Sequence, residues 1–398
     1  MNNDYQHRIG TKTIKLTDNN GETLKNKTVL VKQQKHKFLF GAAEWDALPL
    51  ANGELEGETK AIVEARMEKI YDIFNFMTLP FYWGRFEPEQ GKPDTARIEC
   101  LAKYLKDKNM TLKGHPLCWH TVPANWLLDL SNEEILKVQL DRIHREVTHF
   151  SGLVDIWDVI NEVVIMPIFD KYDNGITRIC KDLGRIELVR QVFNAAKEAN
   201  PNALLLINDF DMSEAYDILI EGLLEADIPI GAIGLQSHMH QGYWGVEKTE
   251  EILERFSRFK LPIHFTENNI VSGRIMPKHI VDLNDHKVDT WDTTPMGEER
   301  QAMEMKFHYK TLFKHPLVES ITYWDFVDGG WLKAPTGFVT RDGRVKPVYD
   351  EIHKLIKGEW WSGEQKVITD SEGNAVVSGY KGDYTAECEN TKLQFTIE

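Results

Sequence analysis

Two glutamates close apolar runs in this chain: Glu162 ends Trp157-Asp-Val-Ile-Asn-Glu162, and Glu267 ends Ile263-His-Phe-Thr-Glu267. An unpaired carboxylate left among Val, Ile and Trp side chains costs several kcal/mol, so each glutamate should emerge where its strand ends. A facing pair of carboxylates suits cleavage of a glycosidic bond. One protonates the leaving oxygen, the other attacks the anomeric carbon, and a separation of roughly 5 Å gives retention of configuration. Trp119, Trp324 and Trp331 fit the same use, because a pyranose stacks its apolar face on an aromatic ring while its hydroxyls need hydrogen bonds.

Other polar residues fall at comparable positions: His115, Trp119 and His120 in the third such run, Asn161 beside Glu162, Asn208 with Asp209, and Gln236, His238 and His240 in the sixth. The histidine pairs 115/120 and 238/240 could instead hold a metal with Glu267 or Asp209, as in metal-dependent barrel hydrolases. No His-x-His closes the first run, where such sites begin, so the histidines are read as hydrogen-bonding groups. Glycosidic cleavage by two carboxylates then calls for no metal and no cofactor.

To reach one cleft, these residues must sit on aligned strands. Apolar or β-branched runs end in polar residues at eight places: 38–44, 74–81, 111–119, 153–162, 203–210, 232–240, 262–269 and 321–328. Segments of helical period lie between them, among them 132–149, 185–200, 213–226, 246–259 and 298–314, and Ser131 followed by Glu134 is a capping-box start. Eight strand–helix repeats predict an α/β fold, a (β/α)8 TIM barrel with its chemistry at the carboxyl ends of the strands. No Gly-x-Gly-x-x-Gly follows the first run, which disfavours a dinucleotide-binding sheet.

Both termini alternate apolar and polar residues instead. Segments 13–21 and 27–32 predict a hairpin, and 366–373, 375–377, 379–384 and 393–397 repeat the pattern. The expected division is an N-terminal β segment (1–37), a catalytic barrel (38–360) and a C-terminal β segment (361–398) that pairs with the first into a small β accessory module.

Composition limits the partners. The 398 residues are 42% hydrophobic and 27% charged, as in ordinary globular proteins, and the net charge of −15 opposes a nucleic-acid surface. No run of about 18 apolar residues marks a membrane span. The start, Met1-Asn-Asn-Asp-Tyr-Gln6, lacks the basic-then-apolar pattern of a signal peptide, so a cytoplasmic protein or a secreted one with its leader removed is expected. Cys100, Cys118, Cys180 and Cys388 stand far apart, as free thiols do.

Eight motifs in order carry a family resemblance. Phe40-Gly41, Glu87-Pro88-Glu-Gln-Gly91, Gly114-His-Pro-Leu-Cys-Trp-His120, Trp157-Asp-Val-Ile-Asn-Glu162, Leu206-Ile-Asn-Asp-Phe210, Ile233-Gly-Leu-Gln-Ser-His238, Phe265-Thr-Glu267 and Ile321-Thr-Tyr-Trp324 resemble those of glycoside hydrolase family 10, the endo-β-1,4-xylanases. The likeness implies a retaining (β/α)8 glycosidase acting on a β-linked polysaccharide or oligosaccharide, with Glu162 as acid/base and Glu267 as nucleophile. It further implies that Asn161 holds the sugar 2-hydroxyl, His115 and Trp119 line the same subsite, Gln236 and His238 orient Glu267, and Trp324 with Trp331 form an aromatic floor and wall. An idle carbohydrate-binding relative would be free to lose a carboxylate, and both are kept.

Departures bear on specificity. Family xylanases carry a Glu-Asn pair and a Lys in the second-strand region, where this chain reads Thr78-Leu-Pro-Phe-Tyr-Trp-Gly-Arg-Phe-Glu87. Tyr82, Trp83 and Arg85 are the substitute contacts, so another β-linked glycan or terminal cleavage is the alternative reading. After the nucleophile, Asn269 stands where the family has an Asp, and a neutral side chain there should shift the alkaline limb of the pH profile. The loop 281–295 could wall one side of the cleft, and Lys333 and Arg341 could meet an acidic sugar substituent.

Overall fold

The computed structural model describes residues 3–398. Eight parallel strands close into a barrel, in chain order Leu39–Ala42, Phe76–Pro80, Thr111–His115, Ile156–Asn161, Leu204–Asp209, Ala232–Met239, Ile263–Ile270 and Val318–Tyr323. They are called the first to eighth barrel strands below. The eighth pairs with the first, Ser320 opposite Leu39 and Tyr323 opposite Ala42, so no edge remains. Six of the eight runs read from the sequence contain their strand whole, while the seventh strand runs one residue past its run and the eighth begins three residues before its own. A run buried on both faces is near-continuously apolar, which is why these stand out.

Helices return the chain between strands. Asn132–His149 begins with the expected capping box, in which the Ser131 hydroxyl accepts from the Glu134 N–H and the Glu134 carboxylate accepts from the Ser131 N–H. Its buried face includes Ile135, Ile143 and Val147, each without measurable exposure. Gly114 lets two strands approach closely, since a Cβ there would lie 2.1 Å from the buried ring of Trp157.

The termini form β structure beside the barrel, but the hairpin expected from 13–21 and 27–32 is not there. Ile9–Lys15 pairs antiparallel with Asn374–Tyr380, and Thr28–His36 lies between Gln365–Ile368 and Gly382–Cys388, with Thr391–Ile397 beyond. Alternation specifies which face of a strand is buried, not which strand it joins. Val29 and Val31 bury against Val377, Tyr384 and Ala386 from the far end of the chain. The chain runs from Thr28–His36 directly into the amino end of the first barrel strand, which puts this module at the end of the barrel opposite the strand carboxyl ends. Arg8 fastens the junction, donating to the carbonyls of Phe313, His315 and Val318 at 2.7–3.0 Å. All four cysteines are free, and among the described residues no helix is long and apolar enough to cross a membrane.

Candidate active site

The strand carboxyl ends bring the two glutamates to one cluster. Glu162 follows the last residue of the fourth strand with a left-handed φ of +57°, a conformation that costs a non-glycine residue of order 1–3 kcal/mol. Its N–H is held by the Asn208 carbonyl at 2.8 Å, and its carboxylate accepts from the Trp119 indole at 2.8 Å and more weakly from Asn161 and Gln236 at 3.3 and 3.4 Å. Glu267 lies inside the seventh strand, which continues to Ile270 because Gln236, Ser237 and His238 pair with Glu267, Asn268 and Asn269. The carboxylate accepts from Asn208 at 3.0 Å and meets His238 Nε2 at 2.9 Å. Asn208 also donates to Asn161 at 2.8 Å, so a continuous set of amides joins the two acids.

The environments drive the two carboxyls apart. Burial, with the charge of Glu267, pushes Glu162 up to about 8 against the opposing Trp119 bond. Burial would raise Glu267 as well, but the His238 hydrogen bond and the charges of His115, His238 and Lys113 outweigh it and hold Glu267 below the usual carboxylate value. At neutral pH one acid therefore carries a proton and the other a charge, the division that acid and nucleophile roles require.

Most of the remaining sequence-predicted residues converge here. His115 Nδ1 is 2.7 Å from Asp158, leaving Nε2 4.0 Å from Glu267. Trp324 packs edge-on against His115 and His238, with centroids at 5.3 and 6.2 Å, and Trp331 lies against His238 and His240 at 4.8 and 5.1 Å. Tyr82 stands among His115, Trp119 and Trp45, and its hydroxyl is pushed well above its ordinary value by burial and then by Glu267 and Asp325.

Trp83 and Arg85 do not share that position. A short helix, Trp83–Phe86, turns Trp83 into the protein wall, where it packs on Trp126 and the Arg142 guanidinium and donates to Glu87 at 3.2 Å. Arg85 is exposed, its guanidinium 5.6 Å from the Tyr82 ring. Lys333 and Arg341 serve the backbone, donating to carbonyls of Val288 and Asp289 and of Asp328 and Gly329. The loop 281–295 is tied to the aromatic wall, since Asn284 accepts from the Trp331 indole at 3.2 Å.

Sequence reasoning missed Trp45, Lys113, Asp158 and Asp325. Lys113 and Asp158 are fully buried and 2.6 Å apart, and their signal was available, because a Lys and an Asp inside apolar runs are stable only as partners. Trp45 follows the first run and stacks edge-on with Trp324 at 5.2 Å.

The model of glycosyl hydrolase family 10 matches residues 5–355. The chain belongs to that family. It is a glycoside hydrolase built on a (β/α)8 barrel. Among its relatives, "Endo-1,4-beta-xylanase B" of Thermotoga neapolitana is 27% identical over 318 residues, covering 74% of this chain and 84% of that one. "Endo-1,4-beta-xylanase C" of Paenibacillus barcinonensis is 25% identical over 343 residues, which span 75% of this chain but 30% of the relative. Of solved structures, native xylanase 10B from Thermotoga maritima superposes with a TM-score of 0.65 at 25% identity, covering 81% of this chain and 96% of that one.

Proposed function

We propose that this hydrolase cleaves β-1,4-linked xylan or xylo-oligosaccharides with retention of configuration. The observation that carries the reading is the opposed state of its two acids, Glu162 pushed up to about 8 and Glu267 held low within one amide network. Glu267, ionised and oriented by His238 and Asn208, attacks the anomeric carbon. Glu162 gives its proton to the departing oxygen, and the glycosyl group is left as an ester on Glu267. Glu162 then takes a proton from water as that water releases the sugar and restores both acids. Asn161 presents an amide at the junction of the two carboxyls, where a 2-hydroxyl contact would strengthen as positive charge develops on the sugar. The xylan preference is supported by the relatives named above.

A second reading, a different β-linked glycan or release of terminal sugars, is favoured by the Tyr82–Trp45–Trp119 aromatic wall in the second-strand region. Product profiles on xylan, mixed-linkage glucan and defined xylo-oligosaccharides separate the two readings, and NMR of the first product's anomer checks retention. Hydrolysis undiminished in Glu267→Ala rejects the mechanism.

A further inference from the structure

A third carboxyl lies beside these acids with weak partners only. Asp325 follows Trp324 at the end of the eighth strand, is 2% exposed, and neither of its oxygens meets a donor at full hydrogen-bond distance and angle, although the Trp45 indole and the Trp331 N–H act on it. Its backbone has a left-handed φ of +64°, unusual for a residue with a Cβ. Anchors fix it there: the Trp324 N–H binds the Asn268 carbonyl at 2.9 Å, and the Phe326 N–H reaches the Ala43 carbonyl at 3.3 Å. The returning loop closes over it so tightly that a Cβ on Gly330 would lie 2.7 Å from its Oδ1.

Its neighbours locate it on one side of the cleft. Burial raises Asp325 to about 6, and the groups that act on it are His238, Trp45, Glu267 and the backbone of Trp331. Glu267 and His238 define the side on which a sugar becomes bonded to the enzyme. Both Glu267 oxygens are already engaged, by Asn208 and His238, so they offer little to the sugar's other hydroxyls. A buried, anchored carboxyl with only weak donors beside them is costly in the empty enzyme and is relieved by donors arriving with a ligand.

We propose that Asp325 is a substrate-binding residue that accepts hydrogen bonds from ring hydroxyls of the sugar seated over Glu267, and so selects which sugar is cleaved. This rests on the retaining reading above, which supplies the sugar's place. A site built to bind a hydroxyl rejects a ligand lacking it, because its own polar group is then left unpaired.

The test uses 4-nitrophenyl β-xyloside and β-glucoside with the 3-deoxy and 4-deoxy forms of each. Removal of at least one of these hydroxyls should cost the wild-type enzyme about 10- to 100-fold in kcat/KM, the range of a hydrogen bond to a charged group. The same removal should cost Asp325→Asn and Asp325→Gly less than about threefold. Ratios between substrates on one preparation cancel the fraction of folded enzyme, and Gly suits the left-handed backbone. Equal penalties in wild type and both variants for every hydroxyl overturn the proposal while Glu267→Ala remains inactive. Turnover that survives Glu267→Ala overturns the retaining reading instead, and this inference with it.

Discussion

The indole N–H of Trp119 donates to Oε2 of Glu162 at 2.8 Å, although Glu162 is the acid that its surroundings keep protonated. The bond favours the ionised form and so works against burial and the charge of Glu267. Trp119→Phe should therefore raise Glu162 further and move the alkaline limb of kcat/KM to higher pH, even as overall activity falls with the loss of ring surface. A pH–kcat/KM profile reads the limb directly. A limb that stays in place assigns it to another group.

Activity requires Glu267 ionised and Glu162 protonated. The profile should then be a bell that falls on the acid side below the ordinary carboxylate range, where Glu267 protonates, and on the alkaline side near 8, where Glu162 loses its proton. Glu162→Gln should lose about 10²- to 10⁴-fold on xylan, where the leaving sugar needs a proton. A 2,4-dinitrophenyl glycoside needs none, so its first step should be nearly spared and its alkaline limb removed. Burst kinetics on the two substrates make the comparison.

Inside the barrel, Asp158 accepts from Lys113 at 2.6 Å and meets His115 Nδ1 at 2.7 Å. Burial would raise the Asp158 carboxyl, but Lys113 and His115 hold it below its ordinary value. A carboxyl lowered by folding stabilises the native state above its unfolded pKa and loses that contribution as pH falls through the folded one. Asp158→Asn should cost about 3–5 kcal/mol near neutral pH, since it leaves a buried ammonium without its counter-charge. Urea unfolding at neutral and acidic pH should show the gap to wild type narrowing with acid; a constant gap rejects the assignment.

How much of this was legible depended on what the residues had to do. The eight barrel strands were, because burial on both faces keeps them mainly apolar and tolerates an interior charge only with a partner, as with Lys113 and Asp158. The helix from Asn132 was, because Ser131 and Glu134 satisfy its first N–H groups locally. The partners of Ile9–Lys15 and Thr28–His36 were not, since they lie more than 300 positions away and alternation carries no address. Tyr82 and Trp83 are adjacent aromatics, and only the turn of the Trp83–Phe86 helix sends one to the cleft and the other to the wall. Asp325 escaped notice because its meaning lies in how weakly it is partnered, which a sequence does not display.

Asn269 offers a last test of how the nucleophile is held. Its Nδ2 lies 3.2 Å from His238 Nδ1, while its Oδ1 is buried without a donor. With the amide assigned this way, Nε2 carries a proton and donates it to Glu267. An Asp at 269 can only accept, so it favours the cationic form of the imidazole, whose charge lowers Glu267. Asn269→Asp should therefore lower Glu267 further and extend activity to lower pH, moving the acid limb first. The sequence alone pointed to the alkaline limb, but the 2.9 Å contact routes the change through Glu267, whereas Glu162 sets that other limb. A pH–kcat/KM curve for Asn269→Asp superimposable on wild type would mean that His238 orients Glu267 without tuning its charge.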